Sequence, residues 1–284
     1  MPMNFFIYNA RAGNSSYTKR AALLNLIKSN PDNIIFETEK SNDEIQLTEK
    51  AIRLGAKNII AVGGDGTLNK VASLLVGTEI NLGLIPVGSG NGLARHLGLS
   101  FIPEIALHKA INGKPIKIDT CTINNRMFFC TAGIGFDAEV ASIFNKRKKR
   151  GLLNYIISFF IALKRFNPIE IEINGEKESV FLFTMANANQ YGNNAFVSPI
   201  SDIQDGKLEI VKIKRTKTLL LIPLLIKLFR YNLHKSNKVE TISINKMQIK
   251  YKANHPIHID GESELTNDEI LNIGILPNSL TIRI

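Results

Sequence analysis

The chain has 284 residues, with 35 Lys and Arg against 25 Asp and Glu, for a formal net charge of +10. That length suits one large or two moderate domains with a real core, and 44% hydrophobic against 21% charged residues excludes a disordered chain. Cys121 and Cys130 are the only cysteines, so a disulfide framework is excluded and a reducing compartment expected.

The opening "MPMNFFIYNARAG" lacks the charged start and long apolar core of a signal peptide, so the expected location is cytoplasmic. The first 120 residues then alternate strand and helix signals. "NFFIYN" predicts a strand, "SYTKRAALLNLIKSN" a helix and "NIIFET" a second strand. "SNDEIQLTEKAIRLG" predicts a helix with a Ser41 to Glu44 capping box and Gly55 as its stop. "AKNIIAV", the turn "GGDGT" and "TLNKVASLLV" make a strand, a tight turn and a helix, with Leu68, Val71, Ala72 and Leu75 at helical spacing. "NLGLIPV" leads into a second glycine turn, "GSGNGLARHLG". Such alternation predicts a parallel sheet covered by helices, with ligands beyond the carboxyl ends of its strands, where both glycine turns fall.

From Lys117 the texture changes to short extended runs separated by Asn-Asn, Asn-Gly and Asp-Gly, which predicts a mainly antiparallel β domain. Two basic apolar segments interrupt it. "KRKKR" at 146–150 precedes "GLLNYIISFFIALKRF", and "KRTKTLLLIPLLIKLFRYNLHK" at 214–235 is broken by Pro223 and Lys227, too soon for a spanning helix. Both suit an anionic lipid surface, or equally two buried helices with solvated ends. The basic cluster lacks interleaved aromatics and a reading module, so nucleic acid is not expected as a partner. "LTIRI" closes the chain as a strand that could join either domain.

Backbone N–H groups in a glycine turn ahead of a helix suit a phosphate. Gly83, Gly88 and Ser89 have Walker-like spacing without the lysine, so an ordinary P-loop is absent. Two neighbouring glycine loops would instead make a wide anion cradle, with Ser89 and Asn91 as uncharged donors beside Gly90 and with Arg95 as a cation. "CTAGIGFDAEV" fits GxGxxA loosely but lacks the acidic residue a dinucleotide site requires, so a packing turn is equally consistent. In "HPIHIDGE", His258, Asp260 and Glu262 share one face if the strand stays extended, which would make Asp260 and Glu262 a pair for taking a proton or holding Mg²⁺. An Asp-Gly turn is the alternative. Asp202 and Asp205 are either oxygen ligands or a plain turn.

GGDGTLNKV at Gly63 to Val71, GSGNGLA at Gly88 to Ala94, GIGFDAEV at Gly133 to Val140 and DGE at Asp260 to Glu262, in this order, resemble the diacylglycerol kinase and sphingosine kinase superfamily. The soluble bacterial lipid kinases are the nearest likeness, and it runs nearly end to end. The resemblance implies an N-terminal NAD-kinase-like α/β domain, residues 1–119 with a returning last strand at 277–284, and a C-terminal β-sandwich at 120–276, with ATP between them. It implies nucleotide contacts from Gly63, Gly64, Asp65, Gly66, Thr67, Leu68 and Asn69, and from Thr38 and Ser89, with Asp65 near Mg²⁺ and the acceptor hydroxyl. Asp119 matches an acidic position near the site. Glu262 resembles the general base, with Asp260 as its partner or a metal ligand. Asp205 matches a carboxylate at a structural Mg²⁺ site completed by backbone oxygens at Asp202 and Lys207.

The sequence departs from the pattern at Lys70, where the family usually has Glu, and at Asn9-Ala10, where it usually has Asn-Pro. GSGN is nearer the sphingosine kinase form than the Thr and Asp of many bacterial diacylglycerol kinases, which leaves the acceptor lipid open. The expected activity is therefore transfer of the ATP γ-phosphoryl group to a lipid hydroxyl, of diacylglycerol, a related lipid or a sphingoid base. The protein would work in the cytoplasm or peripherally at the inner membrane face, with a homodimer left open. The rivals are a non-enzymatic lipid-binding or regulatory homologue and an NAD kinase, with an NADP oxidoreductase more distant.

Overall fold

The computed structural model describes residues 4–12, 17–40, 42–147, 151–214, 221–251 and 254–284, with backbone alone at 17–19. The chain divides into two compact units, Met1–Ile118 with Asn278–Ile284, and Asp119–Pro277.

In the first unit β1 (Asn4–Tyr8), α1 (Tyr17–Lys28), β2 (Asn33–Glu37), α2 (Asp43–Arg53), β3 (Asn58–Gly63), α3 (Asp65–Ser73) and β4 (Asn81–Pro86) alternate strictly. The short α4 (Gly92–His96) and α5 (Pro103–Asn112) follow, and β5 (Pro115–Ile123) leads out. The sheet is parallel, with β1 between β2 and β3, β4 beside β3, and Ile282 of the last strand beside Leu82 of β4. Helices on both faces bury the central strands completely, which is why β1 and β3 read as unbroken apolar runs. Phe6, Ile60, Val62 and Ile85 meet Leu23 and Ile27 of α1 and Ala106 of α5 on one face. At the amino ends of the strands a row of amides runs across the sheet: Asn81 donates to Asn58, Asn58 to Asn4 and Asn4 to Asn33, at 3.1–3.2 Å. Arg283 from the last strand donates to Asn58 as well and to the Gly113 carbonyl. This polar row satisfies side chains that a parallel sheet would otherwise strand in its core.

The expected capping box at α2 rests on Ser41, which lies outside the described residues. Asn42 takes the N-cap position with φ of 71°, Asp43 accepts from the Glu39 and Lys40 amides, and the Glu44 side chain makes the contacts described below.

The second unit holds β6 (Arg126–Phe128), β7 (Thr131–Gly135), α6 (Phe136–Asn145), α7 (Leu152–Arg165), β8 (Ile169–Ile173), β9 (Glu176–Ala186), β10 (Leu208–Lys214) and α8 (Leu221–Phe229). It continues with β11 (Val239–Ile244), β12 (Lys246–Tyr251), β13 (His255–Ile259), β14 (Glu262–Thr266) and the first part of β15 (Ile270–Arg283). Among the described residues the long β9 pairs antiparallel with β7, β8 and β10. Alternation along β10 sends Leu208 and Ile210 into the interior with Phe183, Met185 and Ile257. Val211 and Ile213 face the other way, onto a second core closed by α6, α7 and α8. The α/β first unit and the β-rich second one match the expected fold class. Pro223 is tolerated because it sits in the first turn of α8. Residues 148–150 of the basic cluster and 215–220 ahead of α8 lie outside the described residues.

Candidate functional site

The two glycine turns of the first unit are built against each other. A Cβ on Gly88 would stand 2.5 Å from the Gly64 Cα and 2.7 Å from the Asn91 Oδ1, and one on Gly64 would meet the Gly88 Cα at 3.2 Å. Gly63 is bare because Thr67 folds over it, 2.3 Å from where a Cβ would lie. The Asp65 carboxylate locks the pair: Oδ2 accepts from the Asn91 amide and Oδ1 from the Gly92 amide, both at 2.8 Å, so the first turn caps the helix of the second. Asn91, with φ of 53°, donates its side-chain amide to the Gly88 carbonyl. The first backbone bond within α3 is Leu68 N to Gly64 O, at 2.9 Å, so the amides of Gly66 and Thr67 stand ahead of it at the positive helix end.

Several residues expected to contact nucleotide thus turn their side chains inward. Leu68 is in the core, the Thr67 hydroxyl accepts from Asn9, and Asn91 is spent on its own turn. Of the three, Thr67 offers a phosphate its backbone amide, whereas the Leu68 and Asn91 amides are on the Gly64 carbonyl and the Asp65 carboxylate. Ser89 and Gly90 are half-buried in the second turn, and Asn69 is half-buried on α3, where its carbonyl accepts from Ser73. Thr38, at the carboxyl end of β2, is buried with its amide on the Tyr8 carbonyl. Arg95 is oriented by its Nε on the Gly90 carbonyl, at 3.0 Å, and by the Phe101 ring under its guanidinium.

Lys70 has a defined partner. Its Nζ lies 3.4 Å from Oε2 of Glu44, a buried carboxylate whose Oε1 accepts from Asn9, and Asn9 also donates to Thr67. The cation at the unusual position is therefore matched by an anion on α2. Sequence reading missed this role of Glu44 because it gave that residue to the capping box.

In the second unit the DGE segment is a hairpin tip. Asp260 and Gly261 have φ of 47° and 84°, the signs of a type I′ turn, and Ile259 pairs with Glu262 across it. The expectation that His258, Asp260 and Glu262 share one extended face is therefore corrected, because the chain reverses between them. Asp260 is buried and its carboxylate accepts from the amides of Phe129, Cys130 and Thr131, at 2.8–3.3 Å, which ties the tip to the start of β7. Glu262 opens β14 with its side chain exposed. Burial, with the negative charges of Asp119, Asp260 and Glu209, pushes the Cys121 thiol well up and keeps it unreactive.

Asp202 and Asp205 each accept from a backbone amide two residues on, Gln204 and Lys207 respectively, so both side chains form Asx turns. Fully buried Asp119 accepts from Gly206 in the same loop at 2.7 Å. This all-oxygen set fits a hard cation such as Mg²⁺ in its chemistry. Among the described residues, however, no three His, Cys, Asp or Glu side chains converge as a ready metal cage. Asp65 has both carboxylate oxygens on backbone amides of the second glycine turn.

Two features of the second unit lay beyond sequence reading. In the GIGFDAEV segment Asp137 is buried and accepts from Thr184 Oγ1 at 2.5 Å and Tyr191 OH at 3.2 Å, with the His258 Nε2 at 3.1 Å. Burial and the Asp137 charge push the Tyr191 phenol well above its ordinary value. Beside it a small apolar pocket of about 60 Å³ opens between β9, β10 and the helices, lined by Phe136, Phe159, Leu182, Leu224 and Leu228, with Tyr191 at its wall. Nothing in local spacing links these distant positions.

Residues 4–123 match the model of the diacylglycerol kinase catalytic domain, and residues 130–284 that of the YegS C-terminal NAD kinase beta sandwich-like domain. A "Probable lipid kinase YegS" from Escherichia fergusonii is 25% identical over 295 residues, covering 100% of this chain and 96% of the relative. A "Diacylglycerol kinase" from Mycobacterium tuberculosis is 32% identical over 202 residues, 66% of this chain and 65% of the relative. Among solved structures, a diacylglycerol kinase from Bacillus anthracis strain Sterne has the same fold, with a TM-score of 0.71 at 20% identity, covering 99% of this chain and 96% of that one.

Proposed function

Because the chain belongs to the diacylglycerol kinase family, with the catalytic domain joined to the YegS C-terminal domain, we infer an ATP-dependent lipid kinase acting on the hydroxyl of a diacylglycerol-like lipid. The apolar pocket carries the choice of acceptor. Its walls are hydrocarbon and aromatic ring, which suit an acyl chain and offer nothing to a soluble dinucleotide.

In this reading the helix-start amides of Gly66 and Thr67 and the backbone of Ser89 and Gly90 hold the ATP phosphates, Gly63, Gly64, Asp65, Leu68, Asn69 and Asn91 shape the two turns around them, Thr38 borders the nucleotide and Arg95 adds positive charge. Bound Mg²⁺, near Asp65, supplies neutralisation of phosphate charge, while Asp119, Asp205 and the Asp202 and Lys207 backbone would hold a structural ion. Glu262 takes the proton of the lipid hydroxyl as its oxygen attacks the γ-phosphorus, and the bond to the bridging oxygen breaks to release ADP. Asp65 and Asp260 serve chiefly by shaping the two turns, since backbone amides already claim their carboxylates. Phosphoryl transfer needs little beyond such positioning and charge neutralisation.

Among the described residues no helix is long and apolar enough to cross a membrane. Peripheral docking is supported by exposed Leu152, Leu153, Ile157 and Phe160 on α7, with Lys164 and Arg165 in its last turn, and by exposed Ile222 and Ile226 on α8 beside Lys227. The test is transfer of labelled phosphate from ATP and Mg²⁺ to mixed micelles carrying diacylglycerol, monoacylglycerol, sphingoid base, phosphatidylglycerol or undecaprenol, with NAD in solution as control. Transfer to one lipid, lost in E262Q, is expected. Transfer to NAD alone, or ATP binding without transfer, refutes the reading.

A further inference from the structure

The exposed Glu262 carboxylate takes no hydrogen bond or ion pair among the described residues, so its position is inherited from the hairpin that carries it. Strand pairing holds that hairpin within the sheet: His258 faces Gly133 of β7 and Ser263 of β14, one pair from the turn. Pairing of this kind does not fix how the tip tilts out of the sheet. Asp260 pins one side of the tip to the amides of Phe129, Cys130 and Thr131, and the other side, which carries Glu262, rests on α6, which packs along both β13 and β14.

The grip has two points. At the start of α6 the Asp137 carboxylate meets His258 Nε2 at 3.1 Å, and near its end the Asn145 side chain donates to the Gly261 carbonyl at 3.4 Å. The first contact is the deeper, with both side chains 3% exposed. Gly133 is the bare floor beneath it, since a Cβ there would lie 2.2 Å from the Asp137 Oδ2 and 2.7 Å from the His258 Nε2. Asp137 is itself held from three sides, by Thr184, Tyr191 and the Ala138 amide. The buried His258 Nδ1 has no hydrogen-bond partner among the described residues. Asp137 is therefore the one hydrogen-bond partner of the imidazole there, beside the edge-on Tyr191 ring.

We propose that His258 is a positioning residue for the kinase reaction: through Asp137 it clamps the DGE hairpin to α6 and so sets where the Glu262 carboxylate stands. This rests on the reading of Glu262 as base, and the experiment separates the two. H258L, H258Q and E262Q are compared with wild type by kcat and the KM for ATP in the lipid assay, and by amide hydrogen exchange of residues 259–263. Glutamine can place a donor where Nε2 stands, and leucine cannot. H258L is expected to lower kcat at least tenfold with the KM for ATP within twofold, and to speed hairpin exchange at least tenfold, while H258Q stays within threefold of wild type in all three.

Wild-type kcat or wild-type exchange in H258L overturns the proposal, as does H258Q as damaged as H258L. If H258L does not fold, D137N is read by the same measurements with the same expected losses. Full activity in E262Q overturns the base assignment instead, and the exchange of H258L against H258Q then decides the clamp alone.

Discussion

Lys70 offers the sharpest perturbation, because two roles for it predict opposite results. Its ammonium sits 3.4 Å from the Glu44 carboxylate, with the two side chains 30% and 4% exposed. At an effective dielectric of about 20 the direct attraction is about 5 kcal/mol. Partial exposure of the lysine screens that, and the cost of breaking the pair falls between surface and buried cases, at about 2–3 kcal/mol. K70M should therefore lower the melting temperature of the first unit by about 8–11 °C. K70E should be worse, since it sets two carboxylates side by side. E44Q removes the buried charge and keeps an acceptor for Asn9, so E44Q/K70E should recover most of the loss. The assay is thermal unfolding of the four proteins, with ATP titration alongside. An unchanged melting temperature in K70M, a tenfold weaker KM for ATP and no rescue by E44Q would make Lys70 a phosphate ligand and refute the counter-ion argument.

G88A should destabilise by about 3 kcal/mol and G64A by about 1 kcal/mol, because the added Cβ meets immovable backbone at 2.5 Å in the first case and 3.2 Å in the second. Equal denaturant midpoints would contradict the packing of turn on turn. D260N should cost about 2–4 kcal/mol by removing a charged acceptor from three consecutive amides. Faster hydrogen exchange at residues 129–131 would report that loss, and a change under 0.5 kcal/mol would refute it. Glu209 lies above the usual carboxylate range, chiefly through burial and then through the Asp205 charge. The folded state therefore binds its proton more tightly than the unfolded one, and this group's contribution falls as pH rises from 4.5 through the raised value. In metal-free buffer the melting temperature of E209Q should gain on wild type over pH 4.5 to 7, and a constant difference would refute the shift.

The fold was legible wherever periodicity carried it. Runs such as "NIIAV" and "NLGLIPV" name their strands because a parallel sheet buries both faces, and the change of texture near Lys117 marks the antiparallel half. The glycine turns were legible as turns and as helix starts. Their reason was not: Gly64 and Gly88 are bare because each faces the other, a contact between positions 24 apart that no single motif displays. The longer-range partners of Glu44 were hidden for the same cause. A capping box needs residues three apart, and that pattern was present, yet the carboxylate found Asn9 and Lys70 from other elements.

The acidic residues of the motifs show how far residue type can go toward a role. Asp65 and Asp260 both look like catalytic carboxylates, and both bind backbone amides where two chain segments must be held together. An aspartate does this well because its short side chain puts two oxygens within reach of successive N–H groups, each a charge-assisted bond. Glu262 has one more methylene, lies past the turn and is exposed. In the proposed mechanism the carboxylate that takes the proton is thus the one the surrounding backbone leaves alone, and its accuracy comes from the hairpin beneath it. That places the demand on buried residues such as His258 and Asp137, which touch no substrate in this reading and stand 121 positions apart in the chain.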